Sequence, residues 1–191
     1  MKGSATRGSL AVLFALTGAI LLIASCVGTE DYKGDGKVTV IQRFPALSIR
    51  VDFDDFSLAE PFDRTYSIRG LPDLNYAYLV GLAVSGEVED SVWPPPALKY
   101  LRGSIRCEVR TSGGVTIFRS VGTTGDLFWT GLEGDVPFGY VSGTLPGGSS
   151  RIRPREVPAG DELDQLFVSY IPEPGQEALI ANVRMMADCF R

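Results

Sequence analysis

Alternation of apolar and polar residues at every second position constrains this chain more than any other feature of its sequence. Residues 49–54 and 105–110 both show this pattern, which is typical of a β-strand buried on one face. Residues 76–84 are almost continuously apolar and indicate a strand buried on both faces. Residues 112–114, Ser-Gly-Gly, separate two such segments and predict a β-hairpin.

Strand-like segments recur after residue 37, with turn clusters of glycine, proline and aspartate between them. They are residues 38–42, 49–54, 66–69, 76–84, 101–111, 115–121, 127–130, 166–170 and 179–187. About 8–10 short strands in this order predict an all-β fold, a two-sheet β-sandwich, with Ig-like, C2-like and jelly-roll topologies all left open. Residues 179–187 contain helix-forming Ala, Leu and Met, but their polar residues share one face and favour a strand.

The N-terminus has the three-part organisation of a secretory signal. Lys2 and Arg7 precede an apolar run from Leu10 to Ile23, which is shorter than the roughly 20 residues that a membrane-spanning helix needs. The stretch 23–26, Ile-Ala-Ser-Cys, follows this run and resembles the lipobox of bacterial lipoproteins.

This resemblance implies cleavage before Cys26, diacylation of its thiol with chains such as palmitate, and usually acylation of the new amine. It predicts an extracytoplasmic protein that is anchored to a membrane, and Val27 in place of aspartate favours the outer membrane if the cell is Gram-negative. An ordinary secreted protein cut near Ala24 or Ser25, or an uncleaved N-terminal anchor, is the alternative.

We therefore expect three parts: a lipoprotein signal peptide at residues 1–25, a flexible tether at residues 26–37, and a single β-sandwich domain at residues 38–191. The tether is expected to be flexible because it is polar, glycine-rich and without periodicity. The mature part has 16 basic and 23 acidic residues, a net charge of −7. An acidic domain of this kind is not expected to bind nucleic acid, because that affinity comes mainly from basic side chains.

The complete absence of histidine restricts the chemistry of the chain. It excludes Ser-His-Asp and Cys-His catalysis and His-ligated zinc or copper sites. The sequence assigns no catalytic residue, no metal site and no cofactor. Cys107 and Cys189 both fall on apolar faces of predicted strands and are candidates for a disulfide in an oxidising compartment; two buried thiols are the alternative.

Two segments are candidates for a binding surface. Trp93-Pro94-Pro95-Pro96 combines an aromatic side chain with a run of prolines that fixes an extended polyproline II segment. Arg151, Arg153 and Arg155 alternate in a predicted loop and would suit an acidic surface or lipid headgroups. A rigid crossover loop and a solvated loop, respectively, are the alternatives for these two segments.

Together these patterns predict a membrane-anchored envelope lipoprotein that serves as a non-catalytic binding or accessory module. The acyl chains would hold it to the membrane, and a protein or a polysaccharide of the envelope would be its partner. One alternative is a carboxylate-based glycan hydrolase that uses Glu87, Glu89 and Asp90 beside Trp93, since such enzymes need paired carboxylates. A purely structural envelope protein is the other alternative.

Overall fold

A computed structural model of the chain describes residues 31–43, 46–72, 77–85, 101–130, 136–143 and 151–188. The described residues form the strands β1 (Lys37–Arg43), β2 (Ala46–Ser57), β3 (Phe62–Ser67), β4 (Ala77–Ser85), β5 (Gly103–Thr111), β6 (Thr116–Thr123), β7 (Phe128–Thr130), β8 (Phe138–Tyr140), β9 (Leu163–Pro172) and β10 (Ile180–Asp188). Short 3-10 turns lie at Thr124–Asp126 and Pro154–Glu156. No helix within these ranges is long and apolar enough to cross a membrane.

The strands form two antiparallel sheets that pack as a β-sandwich. The six-stranded sheet has the order β1-β2-β10-β4-β8-β7, and the four-stranded sheet has the order β3-β9-β5-β6. The predicted all-β fold and the predicted two-sheet sandwich are therefore confirmed. Residues 179–187 lie almost entirely in β10, which confirms a strand rather than a helix in that segment.

One hydrophobic core fills the space between the two sheets. Its central aliphatic side chains, all with 0% exposure, are Val51, Val80, Val183 and Met185 from the six-stranded sheet and Val109, Leu166 and Val168 from the four-stranded sheet. Full burial of one such side chain contributes about 1.5–3 kcal/mol to folding. The period-two alternation places these residues on the inward faces of their strands, as the sequence predicts.

Strand β4 is buried on both faces, as its continuous apolar sequence predicts. Its outer face carries Leu79 and Ala83, which pack with Phe138 of β8 in a second, smaller apolar cluster. Between them, Gly81 lies against the backbone of Gly139, where a Cβ atom would overlap the carbonyl oxygen. Glycine at this position therefore allows β8 to pair closely with β4.

Two strands differ from the sequence prediction. Strand β3 starts at Phe62 and not at Tyr66, because it pairs with β9 along its whole length, beginning with Phe62 opposite Tyr170. Phe62 also stacks on Phe56 of β2, with ring centroids 4.1 Å apart. Strand β8, Phe138–Tyr140, was not predicted.

Residues 31–36, which the sequence assigns to the flexible tether, pack against the domain. The backbone N–H of Asp35 donates to the carbonyl oxygen of Ser67 at 2.7 Å, and the Asp35 carboxylate accepts a bond from the Ser67 N–H at 2.7 Å. The ring of Tyr32 packs on the core. These residues therefore belong to the folded domain, whereas residues 26–30 lie outside the described ranges.

Candidate functional site

Several predicted site residues lie outside the part of the chain that the structure describes. They are Cys26, Glu87, Glu89, Asp90, Trp93, Pro94, Pro95, Pro96 and Cys189. The lipid attachment, the proline-rich binding segment and the alternative hydrolase carboxylates therefore stay predictions.

The segment that contains the alternating arginines is anchored to the domain through Ile152. Its backbone N–H donates to the carbonyl oxygen of Tyr78 at 2.9 Å, and its carbonyl oxygen accepts a bond from the Tyr78 N–H at 2.6 Å. The Ile152 side chain is 1% exposed and belongs to the core. The segment is thus fixed on β4 at its centre and is not a wholly solvated loop.

The arginines around Ile152 lie in different settings. Arg151 is partly exposed, and Arg155 lies in the 3-10 turn Pro154–Glu156. Arg153 Nη1 donates to Glu156 Oε1 at 2.9 Å. This ion pair offsets the positive charge of Arg153, and a binding role for the three arginines stays a prediction.

Cys107 points into the core, as its place in the alternation predicts. It is fully buried and forms no disulfide with another described residue. In the reduced form, burial raises the pKa of this thiol to about 12, so the thiol would be protonated at neutral pH and a poor nucleophile. Its predicted disulfide with Cys189 is untested, because Cys189 lies outside the described ranges.

The most developed charged cluster lies on the outer surface of the four-stranded sheet. Arg106, Glu108 and Arg110 alternate in β5 with inward-facing residues and so project to the opposite side. Arg119 of β6 is the register partner of Glu108. We refer to the outer surface formed by these four residues as the arginine face.

The carboxylate of Glu108 is the centre of this cluster and is 1% exposed. Its Oε1 accepts hydrogen bonds from Arg110 Nε at 2.7 Å and from Thr116 Oγ1 at 3.1 Å. Its Oε2 accepts bonds from Arg106 Nη2 and Arg119 Nε, each at 3.1 Å. One buried carboxylate therefore positions three guanidinium groups.

Electrostatics keep Glu108 ionised throughout the physiological pH range. Desolvation by itself raises the pKa of the carboxyl, but the hydrogen bonds from the three arginines and Thr116 outweigh it and lower the pKa to about 2. Glu108 is thus a weak base and cannot supply a proton near neutral pH, which does not suit general acid or base catalysis. The formal charges of the three guanidiniums and the Glu108 carboxylate add up to +2.

The arginine side chains also face solvent, with exposures of 49% for Arg106, 51% for Arg110 and 43% for Arg119. The Arg106 guanidinium lies over the ring of Phe167, 5.5 Å from its centroid, a cation–π arrangement. A shallow depression of about 240 Å³ adjoins these groups and is also lined by Thr65 and Gln165. Guanidiniums that are held in place in this way suit anionic groups that accept two hydrogen bonds side by side, such as carboxylate or phosphate.

The outer surface of the six-stranded sheet carries a more compact ion cluster. Asp52 accepts a bond from Arg184 Nε at 2.6 Å, and Arg50 Nε lies 2.8 Å from its other oxygen. The Arg184 side chain is only 9% exposed, so the pair links β10 to β2 and offers little surface to a partner. Within the described ranges, no group of three or more His, Cys, Asp or Glu residues is placed to hold a metal ion.

The arginine face was not predicted from the sequence, although the alternation contained a signal for it. The same period that turns Cys107 inward turns Arg106, Glu108 and Arg110 outward together. The hairpin through residues 112–114 then brings β6 alongside β5. A like-sided Arg-Glu-Arg triplet in a strand beside a basic partner strand is the pattern that would have identified the site.

Comparisons with known proteins assign the chain to no family. No protein-family model, no curated protein and no solved structure matches it. The arginine face is therefore identified as the candidate site from its geometry alone, without support from a related protein.

Proposed function

We propose that this chain is a membrane-anchored lipoprotein of a bacterial cell envelope whose β-sandwich is a non-catalytic binding module. The N-terminal residues support the anchor, because a basic start, a short apolar run and the lipobox-like residues 23–26 occur in the expected order. Two or more acyl chains on Cys26 would hold the protein stably, whereas a single chain would not.

The observation that carries the binding role is the arrangement of three half-exposed arginines around the buried Glu108. The mature chain has a net charge of −7, yet this surface has a net positive charge. Because Glu108 fixes the guanidiniums before any ligand arrives, less side-chain entropy is lost on binding. We therefore propose that an anionic component of the envelope binds at the arginine face.

The anchor is tested by replacing Cys26 with alanine in cells that are supplied with labelled palmitate. We expect the wild-type protein to incorporate label and to fractionate with membranes, and the variant to lose both properties. An acylated, membrane-bound Cys26→Ala protein would contradict the lipobox assignment. Cys107→Ala is a useful control, because a buried core thiol is not expected to carry lipid.

The binding surface is tested by photo-cross-linking in cells from Val121, which is 60% exposed and lies in register with Arg106. The control position is Ile180, a comparably exposed β-branched residue at 46% on the other sheet. We expect a defined adduct from Val121 that weakens in Arg106→Gln and is absent from Ile180. Silence at Val121, or equal capture from both positions, would contradict the proposed binding surface.

A further inference from the structure

We propose that the arginine face docks on the phosphate groups of lipids in the same membrane that anchors Cys26. This inference rests on the proposed lipid anchor and names the anionic group that the arginine face binds. It follows from three features of the chain: the length of the tether, the place where it joins the domain, and the distribution of charged and apolar side chains.

The tether keeps the domain close to the membrane. Residues 31–36 are hydrogen-bonded to the domain, so only the residues between Cys26 and Asp31 separate the acyl chains from the fold. The five residue-to-residue steps from Cys26 to Asp31 span at most about 18 Å even when fully extended. The folded part of the chain is therefore held near the headgroups on the side where Asp31 lies.

The tether joins the domain at the rim of the arginine face. Asp35 is hydrogen-bonded to Ser67, the last residue of β3. Ser67 pairs with Gln165 of β9, which in turn pairs with Arg110 of β5. Two strand spacings of about 4.8 Å separate Ser67 from Arg110 in the sheet, so the tether meets the domain about 10 Å from the backbone of Arg110.

Charge favours this surface over the rest of the domain for contact with an anionic membrane. The arginine face carries two net positive charges, and Asp63, which shares its surface at the edge strand, removes one of them. With the mature chain at −7, the remaining charged residues sum to −8. An anionic membrane therefore attracts this surface and repels the remainder of the chain.

Exposed apolar side chains beside the arginines favour a lipid surface over a dissolved anion. Val121 is 60% exposed and Ile171 is 58% exposed, and both lie on the outer side of the four-stranded sheet near Arg106. Cationic side chains interspersed with apolar ones are typical of protein surfaces that lie at the headgroup level of a bilayer. A free phosphate would gain nothing from Val121 or Ile171.

The test measures how fast phenylglyoxal modifies individual arginines in the acylated mature protein, with mass spectrometry as the readout. The protein is inserted into vesicles of phosphatidylcholine alone or of phosphatidylcholine with phosphatidylglycerol. Each arginine near an anionic surface strengthens the contact about fivefold. Docking on the membrane would keep phenylglyoxal away from these side chains, and a stronger contact would protect them more. We therefore expect modification of Arg106, Arg110 and Arg119 to be at least about fivefold slower in the anionic vesicles than in those of phosphatidylcholine alone.

The internal control is Arg64, an exposed residue of β3 whose side chain points away from the arginine face, over Phe62. Its modification rate should be the same in both kinds of vesicle.

About 1 M salt reduces the screening length to roughly 3 Å and should restore the rates of the three arginines while the protein stays attached. In Arg106→Gln the protection of Arg119 should fall about fivefold, and in the matched Arg64→Gln it should not change.

The outcomes separate this inference from the proposed anchor. A protein that floats with neither kind of vesicle lacks the acyl anchor, which would overturn the proposed function itself. A protein that floats with both kinds but whose three arginines react equally fast would overturn the docking and leave the anchor intact. Equal protection by inorganic phosphate or by a soluble anionic polysaccharide, without vesicles, would also overturn it and indicate a dissolved ligand.

Discussion

Replacing Glu108 with glutamine keeps the shape of the side chain but removes the charge that three guanidinium groups share. The amide nitrogen also presents N–H donors where the carboxylate oxygen accepted bonds from arginine. The guanidiniums would then repel one another without a counter-charge and lose part of their hydrogen bonding. We expect the variant to fold, because the core beneath β5 is unchanged. Its stability should be lower because the arginines lose their counter-charge.

The expected loss of stability in Glu108→Gln can be calculated from the pKa of the Glu108 carboxyl. The network lowers this pKa from 4.5 to about 2, and at 1.36 kcal/mol per pKa unit the difference corresponds to about 3 kcal/mol. Because the arginines are about half exposed, water and salt screen part of this energy, and we expect about 2 kcal/mol in practice. For a domain of this size that loss lowers the Tm by about 4–8 °C.

The effect has a defined pH dependence. Folding lowers the pKa of Glu108, so its contribution is complete above the unfolded-state value of 4.5 and is lost as the pH falls towards about 2. The glutamine variant has no such group. The difference in unfolding free energy between wild type and variant should therefore be largest above about pH 6 and should fall by more than half at about pH 3.

Urea unfolding at several pH values measures this difference, and an unchanged m-value shows that the unfolded state is unaffected. Glu156→Gln is the matched control, because Glu156 is also paired with an arginine but is 47% exposed; it should cost less than about 0.5 kcal/mol. A loss in Glu108→Gln as small as in the control, or one that is the same at every pH, would refute this reasoning.

Three further predictions concern the fold. Ile152→Ala should lower the unfolding free energy by about 2–4 kcal/mol, since the side chain is 1% exposed within the core; a loss typical of a surface loop would show that the segment is not anchored. Gly81→Ala should cost about 1–3 kcal/mol, because the new methyl group would overlap the carbonyl oxygen of Gly139; unchanged stability would contradict the close pairing of β4 with β8. Non-reducing mass spectrometry of the mature protein should show a peptide that joins Cys107 to Cys189, and alkylation of both thiols would disprove the disulfide.

Local patterns were sufficient to predict the class of the fold. The alternation in residues 105–110 indicates a strand that is buried on one face, and the continuous apolar run in residues 76–84 indicates a strand that is buried on both faces. Each pattern can be read from the sequence of the single strand that carries it. In β10, Val183 and Met185 fall inward and Asn182 and Arg184 outward, so the period identified a strand although the composition favours helix.

Features that depend on pairing between distant strands were not predictable in the same way. Strand β3 contains the polar run Asp63, Arg64 and Thr65, and it is a strand because β9 pairs with it across about a hundred residues of sequence. Asp35 was assigned to the tether because its neighbours are polar, and only the hydrogen bonds to Ser67 place it in the domain.

The arginine face lies between these two cases. The outward triplet of β5 follows from its alternation, but the burial of Glu108 does not, because outward positions in a sheet are ordinarily solvated. Burial results from the long side chains of its neighbours, with Arg119 in register across β6 and Phe167 in register across β9. A sequence alone does not give these registers.

The most direct test of the central claim, that the charge of the arginine face governs binding, compares two substitutions of opposite sign. Asp63→Asn raises the charge of this surface by one without removing the carboxylate that positions the arginines, and Arg106→Gln lowers it by one; both are measured in the unacylated Cys26→Ser mature protein. We predict that binding to vesicles containing phosphatidylglycerol becomes about fivefold tighter in the first variant and about fivefold weaker in the second. Binding that is unchanged in both folded variants, or that changes in the same direction in both, would contradict the claim.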